Sequence, residues 1–175
     1  MRITCILLFL LLSLGIQAQQ AQKVVFPRDF LGNWKGTLSW EVPGKPSRSF
    51  AMRLQVLPAD SGRYIWQIRY GDDGSDNRPY LLVPADSSKG HWRIDERNGI
   101  VLDAWWIGQQ LVSVFSVEGN SVITRYQLDT RGLQVEMISF PARATSTTGG
   151  KHNIPPVDNY SIQSIQHGVL QKMKP

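Results

Sequence analysis

Between Gly32 and Phe140 the chain is one strand-like run and turn after another, with no helical stretch between them. No other feature constrains the fold more. A long series of short antiparallel strands leaves open edges unless it curls shut, and open edges invite pairing with other chains. In the first run Trp34, Leu38 and Trp40 share one parity with Gly36 between them, the period of a half-buried strand. Next, Phe50, Met52, Leu54 and Val56 oppose Ala51, Arg53 and Gln55, and Tyr64, Trp66, Ile68 and Tyr70 oppose Arg63, Gln67 and Arg69. A fourth run, Arg78 to Pro84, carries prolines only near its ends, where a strand tolerates them.

The second half repeats the pattern. Trp92 and Ile94 share a face, and Asn98-Gly99 predicts a type I′ hairpin turn into Ile100 to Ile107, a run so dense in apolar residues that its parity stays open. Gln110 to Val117 follows, then Val122, Thr124, Tyr126 and Leu128 on one parity. Asp129 to Gly132 predicts a type I turn ending on a left-handed glycine, and Leu133, Val135 and Met137 complete a ninth strand. Residues 143–159 are rich in Ser, Thr, Gly and Pro and read as a long loop. Over 160–172, Ile162, Ile165, Val169 and Met173 fit a helical spacing, and a strand fits locally as well. The two edges left by nine strands favour a tenth strand returning beside the first. The expected fold is all-β, an antiparallel up-and-down β-barrel of about ten strands forming one domain over 30–175.

The N-terminus reads as a secretory signal over residues 1–18, with Arg2 as the positive region, Ile3 to Leu14 as the apolar region and Ala18 as a small residue suited to cleavage. Its apolar run is too short for a membrane span, and no later segment approaches ~20 apolar residues. The chain is expected to be exported, to a periplasmic or extracellular location, with residues 19–29 as a flexible lead-in. Cys5 is the only cysteine and lies inside the signal, so the mature chain has no thiol for a disulfide, a nucleophile or a metal. The formal charge of +5, one less without Arg2, is mild and scattered, and nucleic acid is not an expected partner of an exported chain.

The opening Phe30-Leu31-Gly32-Asn33-Trp34-Lys35-Gly36 resembles the G-x-W signature of the calycin superfamily, which includes lipocalins and fatty-acid-binding proteins. The resemblance implies a lipocalin-like barrel in which Trp34 plugs one end and Gly32 allows a tight backbone entry. It also implies an arginine across that tryptophan, for which Arg125 or Arg143 could stand. A second resemblance is to nitrobindin-like haem barrels. It rests on the same G-x-W-x-G and on His167-Gly168-Val169-Leu170-Gln171-Lys172, and it implies haem on His167 as the alternative to a chain without cofactor.

Few residues point to catalysis. There is no G-x-S-x-G elbow, and His91, His152 and His167 stand at no metal-binding spacing. His91 faces away from Trp92, and His152 falls in the long loop. Asp72-Asp73-Gly74-Ser75-Asp76-Asn77 lacks the closing glutamate of a calcium loop. Asp103, if it faced inward, would need a partner. No catalytic or metal-ligating residue is therefore expected. The aromatics carry more information. Either they fill the core, or with a few hydroxyls they line a cavity for a small apolar or amphipathic ligand. The candidate lining is Trp40, Tyr64, Trp66, Tyr70, Tyr80, Ser113, Phe115, Thr124, Tyr126 and Met137. A packed barrel acting through its surface, as a cell-envelope interaction module, is the alternative. Arg53, Arg63, Arg69, Arg93 and Arg97 mostly take the opposite parity and read as a solvated outer face.

Overall fold

Inward-facing residues recur at every second position along each strand, and a closed sheet is what lets all of them meet. The computed structural model describes residues 23–174. The predicted signal, residues 1–18, and the start of the lead-in lie outside the described residues. The strands are β1 (Gly32–Glu41), β2 (Arg48–Pro58), β3 (Tyr64–Tyr70), β4 (Asp76–Asp86), β5 (His91–Asp95), β6 (Val101–Ile107), β7 (Gln110–Val117), β8 (Asn120–Asp129), β9 (Gly132–Pro141), β10 (Ser146–Thr148), β11 (Val157–Asn159) and β12 (Ser164–Lys172). Ten of them form a closed antiparallel barrel in the order β1-β12-β9-β8-β7-β6-β5-β4-β3-β2. This architecture is compatible with a calycin-like fold. The segment that could have been helix or strand is β12. It pairs β1 on one side and β9 on the other, and so removes both edges. Inside the long loop, β10 and β11 form a small separate hairpin.

The buried core alternates as the strand period requires: Trp34 and Leu38, Met52, Leu54 and Val56, Trp66 and Ile68, Trp92 and Ile94, Leu133 and Val135. In β6 the parity left open by the sequence resolves. Ala104 is buried beside Leu102 and Trp106, whereas Val101, Trp105 and Ile107 are exposed. Asp103 therefore faces outward, where His91 Nε2 lies 2.7 Å from its Oδ1 and Trp105 stacks on the imidazole. That hydrogen bond, first among several causes, holds the Asp103 carboxyl below its ordinary value. The turn after β5 differs from the expected type I′ form. Positive φ falls on Arg97 and Gly99, not on the Asn98-Gly99 pair, and Asn98 instead accepts a hydrogen bond from the Ile100 N–H at 2.9 Å. Its side chain competes with the backbone for that donor, which favours a wider loop.

The two barrel ends differ. Chain segment Lys23–Leu31 meets the end where β1 begins. The described part of the expected flexible lead-in, 23–29, is packed there: Phe26 stacks on Trp106 at 4.7 Å and meets Phe30 and Trp92 edge-on. A short 3-10 turn, Arg28–Phe30, buries Phe30 completely. We call this the closed end. The opposite, open end carries the β3–β4, β5–β6 and β7–β8 turns and the long connection from β9 to β12.

Candidate functional site

The barrel is solid in one half and hollow in the other. Toward the closed end Trp34, Trp92, Leu82, Leu111 and Leu133 are buried against the plug formed by Phe26 and Phe30. Trp34 donates its indole N–H to the Phe30 carbonyl at 2.8 Å, which fixes the plug to β1. Neither Arg125 nor Arg143 lies across this tryptophan. Arg125 lies on the outer face, 3.1 Å from Glu136, and Arg143 is exposed beyond β9 at the other end. A lysine takes the place instead: Lys172 Nζ sits over the Trp34 ring at 5.4 Å from its centroid. Gly32, at φ +128°, lets this side chain lie against the backbone, since a Cβ there would come within 2.8 Å of Lys172 Cε.

Toward the open end lies a cavity of about 270 Å³. Of the candidate lining residues, Trp66, Tyr70, Tyr80, Ser113, Phe115, Thr124, Tyr126 and Met137 border it together. Two do not. Tyr64 has the inward parity but sits at the closed-end start of β3, its ring 6.3 Å from Trp92. Trp40 lies at the rim, 37 % exposed, over a small depression formed with Lys45 and Arg48. The cavity also gains residues that the sequence reading missed. Ile68, Ile94, Leu102 and Val122 are apolar members of the same inward rows. Arg78 and Glu96 are charged members: Arg78 shares parity with Tyr80 and Leu82, and Glu96 with Trp92 and Ile94. Extending parity past the last apolar residue of each run would have found them.

The floor of the cavity is polar at one point. Trp66 and Tyr126 meet edge-on at 5.1 Å, and the Trp66 indole N–H is buried without a hydrogen-bond partner among the described residues. Burial pushes the Tyr126 phenol well above its ordinary value. It also pushes Tyr70 up, to about 12. The Tyr70 hydroxyl faces the Met137 sulfur at 3.9 Å, a weak contact. Ser113 is buried and spends its hydroxyl proton on the Asp103 carbonyl at 2.6 Å, leaving an oxygen that can accept. At the mouth, Arg78 grips Asp76 with two hydrogen bonds at 2.9 and 3.0 Å and covers the Tyr70 ring at 4.8 Å. The Asp76 bond is the first of the causes that raise the Arg78 pKa. The Tyr80 phenol is raised by burial, with Glu96 and Arg78 as its charged neighbours. The cavity therefore has apolar walls, hydroxyls at depth and an ion pair at its entrance.

His167 pairs with Ser39 and Glu136 on the outer face of β12 and is exposed. It cannot reach the cavity, and no histidine lines the cavity among the described residues, so the residues present do not fit haem. Among the described residues no three His, Cys, Asp or Glu side chains gather as a metal site, and no helix is long and apolar enough to cross a membrane. A wider groove of about 530 Å³ at the closed end lies outside the barrel, among turn residues such as Gln109, Asp129 and Thr130. No protein-family model matches the sequence, and no curated protein matches it.

Proposed function

We propose that the protein is an exported, non-enzymatic carrier or sensor barrel that holds a small apolar or amphipathic molecule in the open half of its interior. One observation carries this reading: the closed half of the barrel is filled by aromatic and aliphatic side chains, while the open half keeps a cavity with apolar walls and a few convergent hydroxyls. Protein interiors pack to crystal-like density, so a void of this size is unusual unless it is used. At about 270 Å³ the cavity lies just below the usual 300–1,000 Å³ range of ligand pockets. Its size favours a single-ring or short branched molecule over a long fatty acid. The Arg78–Asp76 pair at the mouth favours a ligand whose polar end stays near solvent.

The test is native mass spectrometry of the protein purified from its own compartment, beside a Thr124→Trp variant that fills the void. The reading expects a small molecule released on unfolding of the wild type and absent from the variant, which keeps the β-sheet circular dichroism of the parent. Wild-type protein that carries no molecule, and whose tryptophan fluorescence ignores a panel of small aromatic and branched compounds, would overturn it. The surface-module alternative has its own supporting observation in the exposed Trp105, Ile107 and Val114 on the outer face of β6 and β7.

A further inference from the structure

The outer wall formed by β1, β2 and β3 carries an arrangement that a sheet does not adopt for stability. The register sets Lys35 directly opposite Arg53, and Arg53 directly opposite Arg69. Three cations thus occupy one rung across three neighbouring strands. With strands ~4.8 Å apart, the Cα atoms of the three span about 10 Å. Like charges directly opposite on a sheet destabilise it. Among the described residues none of the three joins an ion pair. The adjoining β3–β4 loop contains Asp72 and Asp73, yet it offers Arg53 a backbone carbonyl, that of Asp72 at 3.4 Å, and no carboxylate. Arg69 is held by Asn77 Oδ1 at 3.4 Å.

The next rung toward the closed end is made of amides. Asn33, Gln55 and Gln67 stand opposite one another; Gln55 donates to Asn33 Oδ1 at 2.7 Å and Gln67 to Asn77 Oδ1 at 2.8 Å, and among the described residues the Asn33 amide N–H groups have no acceptor. The two rungs border a concavity of about 300 Å³ on the outside of the barrel, walled on one side by Met173. This is a row of cationic side chains beside a row of neutral amides, both bordering the same concavity. Guanidinium forks and amide N–H groups suit the oxygens of tetrahedral oxyanions.

We propose that this cleft is a second binding site, separate from the cavity, for a compact polyanion carrying two or more phosphate or sulfate groups. The same chemistry is offered by a soluble phosphorylated or sulfated small molecule and by a lipid headgroup. The first arm of the test is calorimetric titration with inorganic tripolyphosphate. The second is co-sedimentation with vesicles of phosphatidylcholine alone or with phosphatidic acid added. Binding is expected in at least one arm and should weaken steeply as salt rises from ~0.05 to ~0.3 M. In that arm Arg53→Gln/Arg69→Gln should lose about tenfold or more in affinity, whereas Arg97→Gln/Arg143→Gln, which removes two exposed cations elsewhere, should change it less than about twofold. Binding of tripolyphosphate alone identifies a soluble ligand, and binding of vesicles alone a lipid headgroup. Relief of repulsion should also leave the melting temperature of the Arg53/Arg69 variant equal to or above that of the parent. Absence of binding in both arms, an equal loss in both double variants, or a lower melting temperature for the Arg53/Arg69 variant would each overturn the proposal.

Discussion

Tyr70 shows how much one side chain reveals about this interior. It stands on the inward parity of β3, under the Arg78 guanidinium, with its hydroxyl toward Met137. Burial moves its pKa from 10.0 to about 12. Below pH 10 the phenol is protonated in both the folded and the unfolded chain, and its contribution does not vary. Above pH 10 the unfolded chain gives up the proton while the fold retains it, so stability falls as pH rises until about 12. Denaturant unfolding followed from pH 9 to 12 should show this decline, and Tyr70→Phe should flatten it in part, leaving the shares that come from Tyr80 and Tyr126. An unchanged slope in the variant would contradict the burial of this hydroxyl. Parity along the strands was legible in the sequence and placed most of the cavity lining. Depth along the barrel was not, because alternation reports a face and not a height. That is why Trp40 and Tyr64, on the right face, sit at the rim and at the closed end. Lys172 over Trp34 was illegible for another reason: the two residues meet only once the barrel has closed.

Among the elements, β12 was the least legible. Its inward positions are Ser164, Gln166, Gly168 and Leu170, so its core face carries almost no apolar signal. Its apolar Ile165 and Val169 lie on the other face, and with Ile162 they imitate a helical spacing. What identified the strand was a demand of the sheet, two edges needing a partner, and not a local propensity. The seam has a specific steric requirement. Gly168 stands opposite Leu38. A Cβ at Gly168 would run into the Thr37 carbonyl and lie 2.7 Å from Leu38 Cδ2, while one at Gly36 would meet the Val169 carbonyl from the other strand. Gly168→Ala should therefore cost about 1–3 kcal/mol in denaturant unfolding, as overpacking does elsewhere. A loss below ~0.5 kcal/mol would show that the seam is looser than described. The turn after β5 teaches a related lesson. The Asn98-Gly99 pair marks a reversal correctly, yet the Asn98 side chain bonds the Ile100 N–H, and the positive φ moves to Arg97.

At the scale of the whole molecule, a closed sheet of ten strands encloses more volume than its inward side chains fill, and the chain spends its aromatic bulk unevenly. Phe26, Phe30, Trp34, Trp92 and Trp106 crowd the closed end, while hydroxyl-bearing and medium-sized side chains line the open half. The closed barrel was readable from the meander and its length. Whether it was hollow was not, because void volume is a small difference between the enclosed space and the summed side chains, and parity does not measure it. The most direct measurement is a crystal structure of the protein under xenon pressure, since xenon enters apolar voids without needing a specific ligand. The account predicts xenon density inside the barrel between Trp66, Phe115, Tyr126 and Met137, and none in the closed half. A barrel whose interior takes up no xenon, or in which these side chains meet across the lumen, would contradict it.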